Sequence, residues 1–195
     1  MTRYEEYVNS KSKIRWILGC IMRLRTYLKY QNRVRIARRN GADIGESVVM
    51  PLRLAKIANK NLTIGKSTSI QSVNLDLRSK ISIGEHVIMG GGGNQIITTS
   101  HNIDSPDWEP KHYGIEIEDY VWISSNCLIL PSCRKIGRGA VIGAGSVVVR
   151  DVPPMAVMSG NPAQEIRKRK TIHSDLIVEG LLGGDFKTYK DSRTR

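Results

Sequence analysis

Between Ile117 and Val152 a branched apolar residue returns every sixth position, and no other feature constrains the fold of this chain as tightly. Ile117, Ile123 and Ile129 keep that spacing, one residue is inserted, and Ile136, Ile142 and Val148 resume it. Four places after them stand Val121, Cys127, Cys133, Ala140, Ser146 and Val152, each small or apolar. An α-helix repeats about every 3.6 residues and a hairpin strand about every 2, so neither accommodates this period. A prism-like coil with one short strand per unit does. The first residue of each unit then fills the interior, and the small one fits a tight corner. Fainter copies lie upstream at Ile44-Gly45-Glu46-Ser47-Val48 with Met50, Ile64-Gly65 with Ile70, and Ile83-Gly84-Glu85-His86-Val87 with Met89. The repeat region therefore runs from about Gly41 to Pro154.

The stretch from Ile117 to Gly160, continued by Asn161-Pro162-Ala163, resembles the hexapeptide-repeat acyltransferases. It is most similar to the branch that holds galactoside and maltose acetyltransferases and the O-acetyltransferases of polysaccharide synthesis. The resemblance covers roughly residues 60 to 170 well and 41 to 59 weakly. It implies an all-β core, a left-handed parallel β-helix, preceded by an N-terminal helical segment and followed by a C-terminal tail. The left hand comes from the resemblance alone, because general rules favour right-handed crossovers. It also implies a homotrimer with the acyl-donor channel between subunits, acetyl-CoA as co-substrate and no metal.

Acyl transfer from a thioester to a sugar hydroxyl requires a base, a path for the donor and a means of holding the developing oxyanion. His101, in Thr98-Thr99-Ser100-His101-Asn102, stands where the family carries its catalytic histidine. It would take the hydroxyl proton for direct attack on the acetyl carbonyl, then return a proton to the CoA thiolate. The other histidines offer less: His86 occupies a repeat turn facing solvent, His112 shares the long loop and His173 lies in the tail. Asp104 is a candidate to orient the imidazole, or simply an exposed loop carboxylate. Cys127 and Cys133, at corner positions, read as buried inert thiols rather than nucleophiles.

On the donor side the resemblance assigns positions one by one. Trp122 matches the tryptophan beside the catalytic histidine and pantetheine arm. Ser125 and Ala144 match residues whose backbone pairs with extended pantetheine, and Gly143 and Gly145 leave room for it. Arg167 matches a basic residue near the nucleotide phosphates, with Lys168 as helper. Gln164 departs from the pattern, since the sugar acetyltransferases place an arginine there. Gly90 to Gly93 lacks the Lys-Ser/Thr of a phosphate loop and reads as a close approach beside His101. Asn74, Asn94 and Asn102 are candidate acceptor binders, and the residues do not choose among them.

The chain carries a formal charge of +12, and its distribution matters more than its size. Residues 1–40 hold eleven Lys or Arg against two Glu, or +9. No nucleic-acid motif accompanies this segment, so nucleic acid is not the expected partner, whereas an anionic membrane surface is one. Residues 3 to 38 read as one helix, or a pair joined near Gln31, with Ile14, Ile17, Leu18, Ile21, Leu24 and Leu28 on one side. That stripe either packs the helix as a cap against the coil and another subunit, or lays it on the inner membrane leaflet. The longest early apolar run, Trp16 to Met22, has seven residues against about 20 for a spanning helix. Without a signal-like segment, and with three cysteines arguing against a disulfide framework, the expected location is cytoplasmic.

The organisation is thus a basic helical segment at 1–40, the repeat at 41–154 with a long loop at 96–116, and a CoA-contacting segment and tail at 155–195. Gly180 to Gly184 and the polar end suggest partial disorder in the tail. Within the enzyme class the expected acceptor is a sugar in surface-polysaccharide synthesis, the alternative an antibiotic. Two other classes compete. A γ-type carbonic anhydrase needs converging histidines, but residue 106 is Pro and no coil histidine lies within ten residues of His101. A non-catalytic β-helix scaffold at a membrane assembly draws support from the basic helix alone.

Overall fold

The structure is a computed structural model that describes residues 2–71 and 73–193, so the very ends of the N-terminal segment and tail lie outside it. Two helices open the chain, α1 (Arg3–Asn9) and α2 (Lys13–Arg39). Thr2 starts the first within a capping box and Ser12 starts the second by accepting from the Arg15 amide. The break therefore falls at Ser10–Ser12, and α2 runs unbroken through Gln31. A hydroxyl cap overrides the apolar periodicity there.

A three-faced coil follows. Its first turn supplies β1 (Asp43–Ile44), a bridge at Val49 and α3 (Leu52–Ile57) in place of a third strand. The second turn comprises β2 (Leu62–Ile64), β3 (Ser69–Ile70) and β4 (Val73–Leu75), and the third β5 (Ile81–Ile83), β6 (Ile88–Met89) and β7 (Asn94–Ile96). The chain then leaves the coil as an antiparallel hairpin, β8 (Thr99–His101) and β9 (Pro110–His112). Winding resumes with β10 (Ile115–Ile117), β11 (Trp122–Ile123) and β12 (Leu128–Ile129), then β13 (Lys135–Ile136), β14 (Val141–Ile142) and β15 (Val147–Val148). Val152 bridges to Ile136, β16 (Ala156–Gly160) completes the last turn, and β17 (Ala163–Lys168) folds back antiparallel on it. The faces are parallel sheets ordered β1-β2-β5-β10-β13, β16-β14-β11-β6-β3 and β15-β12-β7-β4.

The period of six places one apolar ladder inside each face. Ile44, Ile64, Ile83, Ile117 and Ile136 stack in register on the first, all 2% exposed or less. Ile70, Met89, Ile123, Ile142 and Met158 line the second, and Leu75, Ile96, Ile129 and Val148 the third. The fourth-following residues are buried as well, each directly after a corner. Between the first and second faces every turn has one residue at positive φ: Ser47, Ser67, His86, Tyr120, Gly139 and Met155, spanning 50° to 70°. For residues other than glycine this conformation costs about 1 kcal/mol or more. Each turn after the first offsets that cost through a hydrogen bond to the turn before, as from the Tyr120 amide to the Glu85 carbonyl at 2.9 Å. At Gly65 the turns approach so closely that a Cβ would lie 2.6 Å from the Gly84 carbonyl carbon.

The described part of the tail, up to residue 193, folds back on the molecule despite its glycine-rich composition. It returns along the second face to a 3₁₀ turn (Val178–Leu182) against β3 and ends in α4 (Phe186–Asp191) against α2. Its glycines serve geometry rather than disorder: Gly183 adopts φ 70°, and Gly184 passes so close to Val49 that a Cβ would meet it at 2.4 Å. Asp185, 3% exposed, accepts from Arg23 Nε at 3.1 Å and from the Tyr4 hydroxyl. Burial, with Asp185 alongside, pushes the Tyr4 phenol far above its ordinary range. Tail and N-terminal helices thus form one layer strapped along the coil. The C-terminal half of α2 caps the coil through Val34 and Ala37, while the predicted apolar stripe of its N-terminal half faces outward.

The ladders set the stability. Ile123→Ala removes a side chain that is 1% exposed and should cost about 2–5 kcal/mol in urea unfolding. Ile166→Ala, at a site 63% exposed, should stay within about 0.5 kcal/mol.

Candidate active site

The hairpin that carries His101 is rooted in the coil by Asp76, a residue without any motif signal in the sequence. Its Oδ2 accepts from the Thr98 amide at 3.2 Å and the Thr99 hydroxyl at 2.7 Å, while its own backbone carbonyl accepts from the Thr98 hydroxyl at 2.7 Å. Arg78 grips the other side of the carboxylate, with Nε 2.7 Å from Oδ1. The Arg78 guanidinium, then the Thr99 and Thr98 donors, hold the Asp76 carboxyl well below the usual carboxylate range against the opposing effect of burial. Five hydrogen bonds to one carboxylate, three from Arg78 and one each from Thr98 and Thr99, fix where the strand leaves the coil.

His101 ends β8, exposed to solvent, with Nδ1 2.6 Å from the Trp108 carbonyl. A carbonyl oxygen only accepts, so Nδ1 carries the proton and Nε2 is left as the basic atom. Trp108 sits at φ 53° and its ring meets the imidazole edge-on, with centroids 6.4 Å apart. The hairpin tip brings both the backbone carbonyl and the ring of Trp108 to the histidine. The hydrogen-bond partner of the His101 ring is the Trp108 carbonyl rather than Asp104, the candidate orienter. His112 lies exposed on β9, opposite Thr99.

The predicted donor-side residues fall on another edge of the coil. Ser125 and Ala144 occupy the corner between second and third faces in successive turns, tied by the Gly145 amide donating to the Ser125 carbonyl at 2.9 Å. Gly143 packs beneath the next turn, where a Cβ would lie 3.1 Å from the Met158 carbonyl. Above them β17 presents Arg167, opposite Val157, and Lys168, which pairs with Glu165 at 3.0 Å. Arg150 donates to the Gln164 side chain, so a guanidinium stands beside the position that departs from the family pattern. The sequence gives no sign of that pairing, which needs the last turn folded back.

Trp122, 46% exposed, lines a cavity of about 510 Å³ with His86, Tyr120 and, from the tail, His173, Leu176 and Leu181. His86 does not face solvent as predicted: it stacks on Tyr120 at 5.0 Å and 8°. No hairpin residue lines that cavity, so one chain does not bring His101 to Trp122. The glycine run does not flank His101 either. Its nearest neighbours are Trp122, Ser125 and Asn126, and a Cβ at Gly91 would overlap the Ser125 hydroxyl.

Among the asparagines, Asn94 is 2% exposed and fully engaged, donating to the Gly90 carbonyl and accepting from the Cys127 amide, both at 2.9 Å. It braces two turns and is not an acceptor binder. Asn74 is exposed on β4, and Asn102 opens the hairpin tip, its amide donating to the Glu109 carbonyl at 2.8 Å. Burial raises both Cys127 and Cys133, the latter to about 12, so neither supplies a thiolate. Among the described residues no three His, Cys, Asp or Glu side chains group as a metal site.

The galactoside O-acetyltransferase of Lactococcus lactis is 32% identical over 155 residues, covering 76% of this chain and 67% of that protein. The acetyltransferase assigned to colanic acid biosynthesis in Escherichia coli K12 is 31% identical over 141 residues, covering 72% and 76%. The chain belongs to the hexapeptide-repeat acetyltransferases. A crystal structure of a member from Vibrio cholerae, solved with acetyl-CoA, superposes with a TM-score of 0.62 at 28% identity, covering 87% of this chain and 85% of that one. The coil is accordingly the left-handed parallel β-helix of this family. Another curated match spans 43% of the relative's length, and no family model matches the chain.

Removing the hairpin anchor should loosen the segment that carries His101 without melting the coil. Asp76→Ala should cost about 1–3 kcal/mol locally, read as faster hydrogen exchange across residues 98–112 with an unchanged far-UV circular dichroism spectrum. Because the folded carboxyl is depressed, the anchor is complete above about pH 5 and weakens as pH falls below about 4. Protection of the Thr98 amide should fall along that limb.

Proposed function

We propose that this chain transfers an acetyl group from acetyl-CoA to a sugar hydroxyl, with His101 as general base. The observation that carries the reading is the Nδ1 contact to the Trp108 carbonyl, which leaves Nε2 unprotonated and outward. Nε2 takes the acceptor proton as the hydroxyl oxygen bonds to the acetyl carbonyl carbon. The tetrahedral adduct then collapses, the C–S bond breaks, and the thiolate recovers the proton from Nε2. No enzyme nucleophile is required.

The stepped corner at Ser125 and Ala144 suits an extended pantetheine arm, since successive turns rise about 4.8 Å. Arg167, Arg150 and Lys168 cluster where nucleotide phosphates would lie, and guanidinium forks pair phosphate oxygens well. The separation of His101 from the Trp122 cavity supports a homotrimer in which the base of one subunit meets the donor groove of its neighbour. The galactoside and colanic acid relatives support a sugar acceptor in surface-polysaccharide synthesis, in preference to an antibiotic.

Thiol release from acetyl-CoA, followed with sugar and streptogramin acceptors, tests the reaction and the acceptor class together. His101→Ala should lower the turnover number by about 10² to 10⁴ with little change in CoA affinity, and His112→Ala should remain within a few-fold. A reversed ranking would move the base to His112. Sedimentation should give a trimer, and an active monomer would refute the shared site.

A further inference from the structure

Helix α2 is apolar on two sides, and only one of them is packed. Gly19, Arg23 and Tyr27 meet Tyr189, Asp185 and Phe186 of the strap, while Tyr30, Val34 and Ala37 are buried toward the coil. On the opposite side Ile14, Ile17, Leu18, Ile21, Met22 and Leu28 are 42–73% exposed. At about 100° per residue they share one sector of the helix, roughly 21 Å long. Such a group of exposed apolar residues on one helix face marks an interaction site.

The charge identifies the partner. The 27 residues of α2 include nine Lys or Arg and no Asp or Glu. Exposed Arg25 and Lys29 lie within the sector toward its C-terminal end, and exposed Arg35 and Arg39 continue it beyond Leu28. Their aliphatic stems can lie along an apolar surface while the heads reach outward. A second copy of the chain, itself at +12, adds like charge to this face. An anionic lipid surface offers hydrocarbon to the stripe and phosphate oxygens to the cations at the same time. We infer that α2 lies along an anionic membrane surface with its apolar sector at the headgroup boundary. The helix rests in the interface, since no described helix is long and apolar enough to cross a membrane. This inference stands independently of the acetyl acceptor.

Vesicle sedimentation of the whole protein tests it, with phosphatidylcholine alone and with phosphatidylcholine containing about a quarter phosphatidylglycerol. The protein should bind the anionic vesicles at low salt at least about tenfold more tightly than the neutral ones, and raising the salt should release it. The triple variant Ile17→Gln, Leu18→Gln, Ile21→Gln should lose at least about tenfold in binding, while keeping the parent's melting temperature and turnover on a soluble acceptor. Arg25→Gln with Lys29→Gln should flatten the salt dependence. A parent that ignores anionic vesicles, or a triple variant that binds them as the parent does, would overturn the inference. So would a triple variant that falls apart as an oligomer while the parent stays off the vesicles, which assigns the stripe to a second copy.

Discussion

The register between successive turns of the coil is the constraint on which everything else rests. Each turn donates backbone hydrogen bonds to the one before it, and each apolar residue sits on its equivalent in the preceding turn, as Ile123 does between Met89 and Ile142. Neither half of that arrangement stands alone. Two-residue strands such as β11 and β14 are too short to persist singly, and the side chains fill the interior only when the backbone spacing is held. The same register forces left-handed conformations onto Ser47, Ser67, His86, Tyr120 and Met155. It also supplies the amide-to-carbonyl bonds that hold all of them but Ser47 there.

The candidate base stands where this regularity is interrupted. The hairpin of β8 and β9 pairs with no strand of the coil, and the Asp76 carboxylate sets its position through the Thr98 and Thr99 donors and Arg78. His101 then depends on a single carbonyl, that of Trp108, for its tautomer. The stepped corner of Ser125 and Ala144 belongs wholly to the regular part and needs no such support. The candidate donor groove is therefore built on a rigid edge, and the candidate base on an anchored excursion.

The strap solves a different problem. A coil has two open ends, and α2 closes the first with Val34 and Ala37. Its N-terminal half would project without support, and the tail reaches back to hold it through Asp185, Phe186 and Tyr189. Burying the Asp185 carboxylate is tolerable because Arg23 and Tyr4 both donate to it. Residues 181 or 162 positions apart in the chain thus share one hydrogen-bonded cluster.

The sequence by itself determined the coil, its interior residues and the place of His101. A strict six-residue period is local information, repeated often enough to be read without knowing what any turn touches. It could not reveal Asp76, the Trp108 carbonyl or the engagement of Asn94, because each is defined by a partner in another turn or loop. The stripe on α2 was legible as a stripe, yet its direction was not. Periodicity shows that a helix has an apolar side, while only the tertiary structure decides which side is covered. Here the strap claimed Gly19, Arg23 and Tyr27 and left the isoleucines facing out. The glycines of the tail misled for the same reason, since Gly183 and Gly184 serve a turn and a close approach to Val49 that exist only once the chain has folded back.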